Sequence, residues 1–257
     1  MEPSNTTQMD RETHIGGPSS RFPDTRQSAV RGVRSECAEV RAIAWDAIIA
    51  AYWKPVYKYV RVRWHEPNEE AKDLVQTFFT RAMEREAFAA FDAQRGAFRT
   101  YLRAALDNFL ANEKRDARRV KRCGTRPLLS LDFESAEGEL RLHEPLAAGS
   151  VEDYFRQEWA RSLFALALDR LRVEYEQRGK LTPLRIFERY DLCDSEARPT
   201  YQELADAFGI TAATVTNYLA AMRRDFRRAV LDQLRELTAD EREFRNEARA
   251  VLGIEAR

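Results

Sequence analysis

Residues 200–228, TYQELADAFGITAATVTNYLAAMRRDFRR, hold the parts needed to read a DNA duplex. Thr200 followed three residues later by Glu203 forms a capping box, so a helix is expected to start at Tyr201. Leu204, Ala205 and Phe208 give that helix an apolar face, and Gly209 supplies the left-handed residue that a tight corner needs. Ile210 plugs the corner and Thr211 can cap a second helix, which buries Val215, Leu219, Met222 and Phe226 at helical spacing. The outward face then carries Ala212, Ala213, Thr216, Asn217 and Ala220, with Arg223, Arg224, Arg227 and Arg228 further along. Small and polar groups suit base edges in a major groove, and arginines suit phosphates. An ordinary hairpin of two helices needs no such run of arginines directly after that face.

A second constellation interleaves aromatic and basic residues: Phe98, Arg99, Tyr101, Arg103, Phe109, Lys114 and Arg115. Aromatic rings can stack on unpaired bases while arginines hold the backbone. The same spacing also builds a helix core, and periodicity alone favours the core.

Other chemistries find little support. Cys37, Cys123 and Cys193 lie far apart, as do His14, His65 and His143, so neither a disulfide framework nor a zinc site fits. No phosphate-binding glycine loop, nucleophile elbow or H-E-x-x-H pair occurs. The expectation is a binding protein, not an enzyme, with no cofactor and no metal. No apolar run approaches the length of a membrane span, and the first residues lack the basic and apolar regions of a secretory signal, so a cytoplasmic location is expected.

The elements that position these residues are helical. The 257 residues allow one large domain or two small ones. Residues 1–36 have no periodicity and are expected to form a disordered arm. A helix is expected from about Val40 to Trp53, with Pro55 opening or kinking a second segment. Asn68 is the expected cap of the next helix, in which Ala71, Leu74, Val75, Phe78, Phe79, Ala82 and Met83 share a face and Asp73, Gln76, Thr77, Thr80 and Glu84 point away. A turn at Asp92 to Gly96 leads into a helix through Phe98, Leu102, Leu106 and Phe109. Helical signal returns over Val151 to Arg178 and over Pro183 to Leu192, and period-two alternation is almost absent. The fold class is therefore all-α: two small helical domains, 37–120 and 151–235, joined by a flexible linker at 121–150 and followed by a charged tail at 236–257.

The 42 basic and 42 acidic residues cancel overall but not locally. Residues 111–126 carry seven basic and two acidic groups, and residues 132–158 carry eight acidic groups against Arg141 and Arg156. Residues 223–228 are basic again. Basic, acidic, basic suggests two polyanion-contacting modules joined by a segment that repels or imitates nucleic acid.

Here the chain resembles a family. YWKPVYKYVRVR, EEAKDLVQTFFTRAM and FDAQRGAFRTYLRAALDNFLANEKR look like conserved region two of bacterial RNA polymerase sigma factors of the sigma-70 family, extracytoplasmic-function (ECF) type. Residues 200–228 look like region four, and the resemblance runs from about Ile43 to Leu234. It implies a non-catalytic subunit that binds core RNA polymerase and directs promoter recognition. A stand-alone helix-turn-helix regulator is the alternative. The resemblance further implies that Asp73, Leu74, Val75, Gln76 and Thr80 dock on the clamp helices of the polymerase beta-prime subunit, with the flap of the beta subunit as a second contact. Phe98, Arg99, Tyr101, Arg103, Asn108, Asn112 and Arg115 would meet the downstream (minus ten) promoter element. Ala212, Ala213, Thr216, Asn217, Ala220, Arg223, Arg224 and Arg227 would meet the upstream (minus thirty-five) element. An anti-sigma factor is a further implied partner, and the acidic linker would thread the polymerase RNA channel. Asp107 departs from the family's usual arginine, and Thr216 and Asn217 depart from its usual basic residue and serine.

Overall fold

The computed structural model describes residues 28–117, 131–142, 150–193 and 198–253. Among them the regular elements are helical: α1 (Ala29–Gly32), α2 (Ala38–Arg63), α3 (Asn68–Glu84), a short 3-10 turn (Ala87–Ala90), α4 (Phe98–Ala117) and α5 (Phe133–Leu142). After these come α6 (Val151–Gln177), α7 (Leu181–Asp191), α8 (Tyr201–Phe208), α9 (Ala212–Glu236) and α10 (Glu241–Leu252).

The long helix α2 is the axle. Ile48, Ala51, Tyr52, Val56, Tyr57, Tyr59 and Val60 are buried on several of its sides, because α1, α3, α5 and α6 all pack on it. Pro55 was expected to open or kink a second segment; α2 is one continuous helix with Pro55 inside it. Packing on all sides compensates for the missing backbone donor, since tertiary burial supplies most of a helix's stability. Asn68 is likewise not the cap of α3 but its first residue, and its side-chain oxygen accepts a hydrogen bond from the Tyr57 hydroxyl at 2.8 Å.

The two halves of the chain share one core. Tyr52 of α2 stacks on Trp159 of α6 with centroids 6.1 Å apart, and Tyr59 meets Phe155 edge-on at 5.5 Å. Lys58, itself buried, is held between Glu158 of α6 and Glu139 of α5, both at 2.7 Å. A buried ammonium is tolerable only with such partners.

Three expectations for irregular segments are corrected. The end of the arm is folded: Ser28 caps α1, and Ala29, Val30 and Val33 are buried. Gly32 lets α1 lie close on α2, since a Cβ there would sit 2.8 Å from that of Ala44. Second, the linker contains α5, while 121–130 and 143–149 fall outside the described residues. Two of its carboxylates turn inward: Glu137 takes a forked pair of bonds from Arg61 at 2.9 and 3.1 Å, and Glu139 also meets Lys54 at 2.8 Å. Charges that looked like repulsion of nucleic acid neutralise the basic face of α2. Third, the charged tail holds α10, with Phe244 and Ala248 buried in the core, while 254–257 fall outside the described residues.

The Arg61 guanidinium, with the Tyr57 hydroxyl, holds the Glu137 carboxyl down at about 2 from an ordinary 4.5. A depressed carboxyl stabilises the fold above the ordinary value, and that contribution disappears as pH falls through the depressed one. Stability should therefore fall between pH 4.5 and about 2 more steeply in the parent than in Glu137→Gln, as unfolding midpoints across that range would record.

Candidate nucleic-acid and partner interface

The corner between α8 and α9 is built from its own sequence. Thr200 and Glu203 complete both arms of the capping box, with Glu203 N–H donating to Thr200 Oγ1 at 3.2 Å and Thr200 N–H to Glu203 Oε2 at 2.7 Å. Gly209 adopts φ 65°, where a side chain would be strained, and Ile210 N–H then returns to the Ala205 carbonyl at 3.0 Å. Thr211 Oγ1 accepts from Thr214 N–H at 3.1 Å and starts α9. Val215, Leu219 and Met222 are fully buried, so the opposite face is fixed. Ala213, Thr216, Asn217, Ala220, Arg223, Arg224 and Arg227 are exposed on it, and Ala212 is half-buried at its edge. Phe226 packs between Phe164 and Phe187, with centroids at 6.0 and 5.7 Å, which anchors α9 to α6 and α7.

The arginines on α9 are not equivalent. Arg223 forks onto Asp191 at the end of α7 with two bonds of 2.9 Å and lies over the Tyr190 ring. Arg224 and Arg227 make no ion pair among the described residues. Unpaired guanidinium groups on an exposed helix face are free to meet an anion such as a phosphate, whereas Arg223 must first leave a carboxylate. In a salt titration of duplex binding, Arg224→Ala and Arg227→Ala should each lower the slope by about 0.9. Arg223→Ala should change it less.

The α4 constellation divides into core and surface. Phe98 is fully buried among Tyr52, Phe88 and Phe91, and the Tyr101 hydroxyl donates to the Ala87 carbonyl at 2.8 Å. Phe98 offers no stacking face, which corrects its placement among base-contacting residues, and the periodicity of a core explains it; Tyr101 is half-buried against the same core. Arg103 pairs with Asp107 at 2.9 Å and lies 3.7 Å from Glu152. Asp107 also accepts from the Tyr59 hydroxyl at 2.9 Å and from Trp64 Nε1 at 3.2 Å. The carboxylate that departs from the family pattern is thus a structural hub joining α4 to α2. Arg99 is only 9% exposed and pairs with Glu247 of α10.

Asn108, Asn112 and Arg115 are exposed on α4, the last donating to the Asn112 side-chain oxygen, and Lys114 is exposed but pairs with Glu66 at 2.7 Å. The first three line an open groove of about 870 Å³ against the end of α3, where Arg81 and Arg85 join them. Arg81 is tethered to Glu113 at 2.7 Å over the Phe109 ring. Neither arginine stands in a sequence motif, although their spacing of four residues at a helix end was an available signal.

On α3, Asp73 is exposed and Gln76 and Thr80 are half-buried along one strip, with Leu74 half-buried at its apolar edge. Val75 is fully buried, so it supports that strip from the core and cannot itself touch a partner. Among the described residues no cluster of metal-binding side chains forms and no helix is long and apolar enough to cross a membrane.

The family model described as ECF sigma factor matches residues 42–232. The match runs from early α2 to near the end of α9 and leaves out α1 and α10. No curated protein and no solved structure matches the chain.

Proposed function

We propose that this chain, which belongs to the ECF sigma factor family and so directs RNA polymerase as a sigma factor, divides that task among three exposed surfaces. The strip Asp73, Leu74, Gln76 and Thr80 on α3 docks on the clamp helices of the polymerase beta-prime subunit. The groove edge of Asn108, Asn112 and Arg115 on α4 receives the downstream promoter element. The outward face of α9 enters the upstream element, with Arg224 and Arg227 on its phosphates and Thr216 and Asn217 near base edges. The chain supplies recognition, and bond formation stays with the polymerase.

The observation that carries this division is Asp73, an exposed carboxylate with no ion pair among the described residues, on a helix whose other face is packed away. A charged group left unpaired beside a half-buried leucine suits a polar partner surface. A helix-turn-helix regulator working alone would have no use for it. The chain should co-elute with bacterial core RNA polymerase from gel filtration at stoichiometric mixing. Elution as a free dimer that shifts duplex DNA without polymerase would overturn the proposal.

A further inference from the structure

Two carboxylates of α10 are turned inward, where a solvated tail would turn them out. Glu243 Oε1 accepts the Phe98 N–H, at the first turn of α4, at 2.5 Å, and its Oε2 accepts the Ala239 N–H at 2.8 Å. One turn later Glu247 accepts from Arg99 Nη2 at 3.2 Å, and both side chains are at least nine-tenths buried. Arg242 adds a bond to the Ala93 carbonyl, just before α4. A helix N-terminus followed by an arginine is an arrangement that receives phosphates. Here two carboxylates occupy it.

The occupation is imperfect. Arg99 Nε and Glu247 Oε2 are buried without a hydrogen-bond partner among the described residues. Glu243 faces N–H groups and, among the described residues, no cation, with Glu247 and Asp240 as like-charged neighbours, and burial pushes its carboxyl upward. Buried charge satisfied this incompletely makes a weakly held element, one that opens before the rest of the fold. The helix also lies outside the residues matched by the family, so it is an addition to the shared core.

The geometry points to α10 as a built-in competitor of promoter DNA: its Glu243 and Glu247 hold the α4 N-terminus and Arg99 that a backbone phosphate takes when α10 swings away. This rests on the proposed role of α4 in meeting the downstream element and adds its regulation. Arg99 then belongs to the DNA-contacting set only in the open form. Binding to α4 is weakened by the fraction of molecules that are closed.

The test uses the full chain and a fluorescein-labelled single-stranded oligodeoxynucleotide of mixed sequence, followed by anisotropy. Ala248→Arg forces a long cation into the fully buried seat of α10. Independently, Glu243→Lys sets a cation against the α4 N–H groups. Hydrogen exchange at the Phe98 amide confirms opening in each. Both variants should bind the oligonucleotide about tenfold more tightly than the parent. Arg99→Ala added to either should remove the gain. Equal affinity of parent and opened variants, with Arg115→Ala weakening all of them, overturns the competitor and leaves the role of α4 intact. If Arg115→Ala changes nothing even in the opened variants, the role of α4 fails and the inference falls with it.

Discussion

Trp159→Ala is expected to destabilise the protein by about 3–5 kcal/mol, the usual cost of deleting a buried aromatic ring. The ring is 1% exposed, stacks on Tyr52 of α2, and has the Arg99 guanidinium 5.5 Å from its centroid. It therefore belongs at once to the α6 half, to the α2 half and to the floor beneath Arg99. Urea unfolding followed by helical circular dichroism and by tyrosine fluorescence should show one transition, displaced to lower urea in both signals. Two separated transitions, only one of them displaced, would mean that the halves fold as independent units and that the shared core is not cooperative.

Asp73→Arg addresses recognition. Reversing an exposed charge in the proposed docking strip should cost about 2 kcal/mol, or roughly 30-fold in affinity for core polymerase. The unfolding midpoint should not move, because Asp73 makes no ion pair among the described residues. Val75→Ala makes the opposite pattern: the residue is fully buried, so it should lower the midpoint and affect affinity only through stability. A titration of labelled core polymerase against both variants separates the two behaviours. Unchanged affinity in Asp73→Arg would remove α3 from the docking surface.

The contrast between those neighbours shows what a sequence carries and what it hides. The corner of α8 and α9 was legible because every part of it, from Thr200 to Thr214, is a local signal. The helical faces of α3, α4 and α9 were legible from apolar spacing for the same reason. Val75 was misplaced because a motif is contiguous in sequence while a helix face is not. Phe98 went to DNA by family resemblance although its periodicity already pointed to the core. Asp107 looked anomalous because its partners, Tyr59 and Trp64, lie more than forty positions earlier. The acidic helix α5 and the tail helix α10 were hidden for a stronger reason. Their inward charges read as polar surface until the cations and amide groups that receive them, on α2 and α4, are placed opposite.

Those long-range bonds also order events in time. Phe98 and Glu243 are 145 residues apart, and Arg99 and Glu247 are 148 apart. At the pace of bacterial translation, α4 leaves the ribosome on the order of 10 s before α10. Every newborn chain thus passes through an interval in which the α4 N-terminus and Arg99 lack the two α10 carboxylates that close on them. Whichever partner is nearest during that interval meets the surface first, and the finished chain closes over whatever has not been claimed.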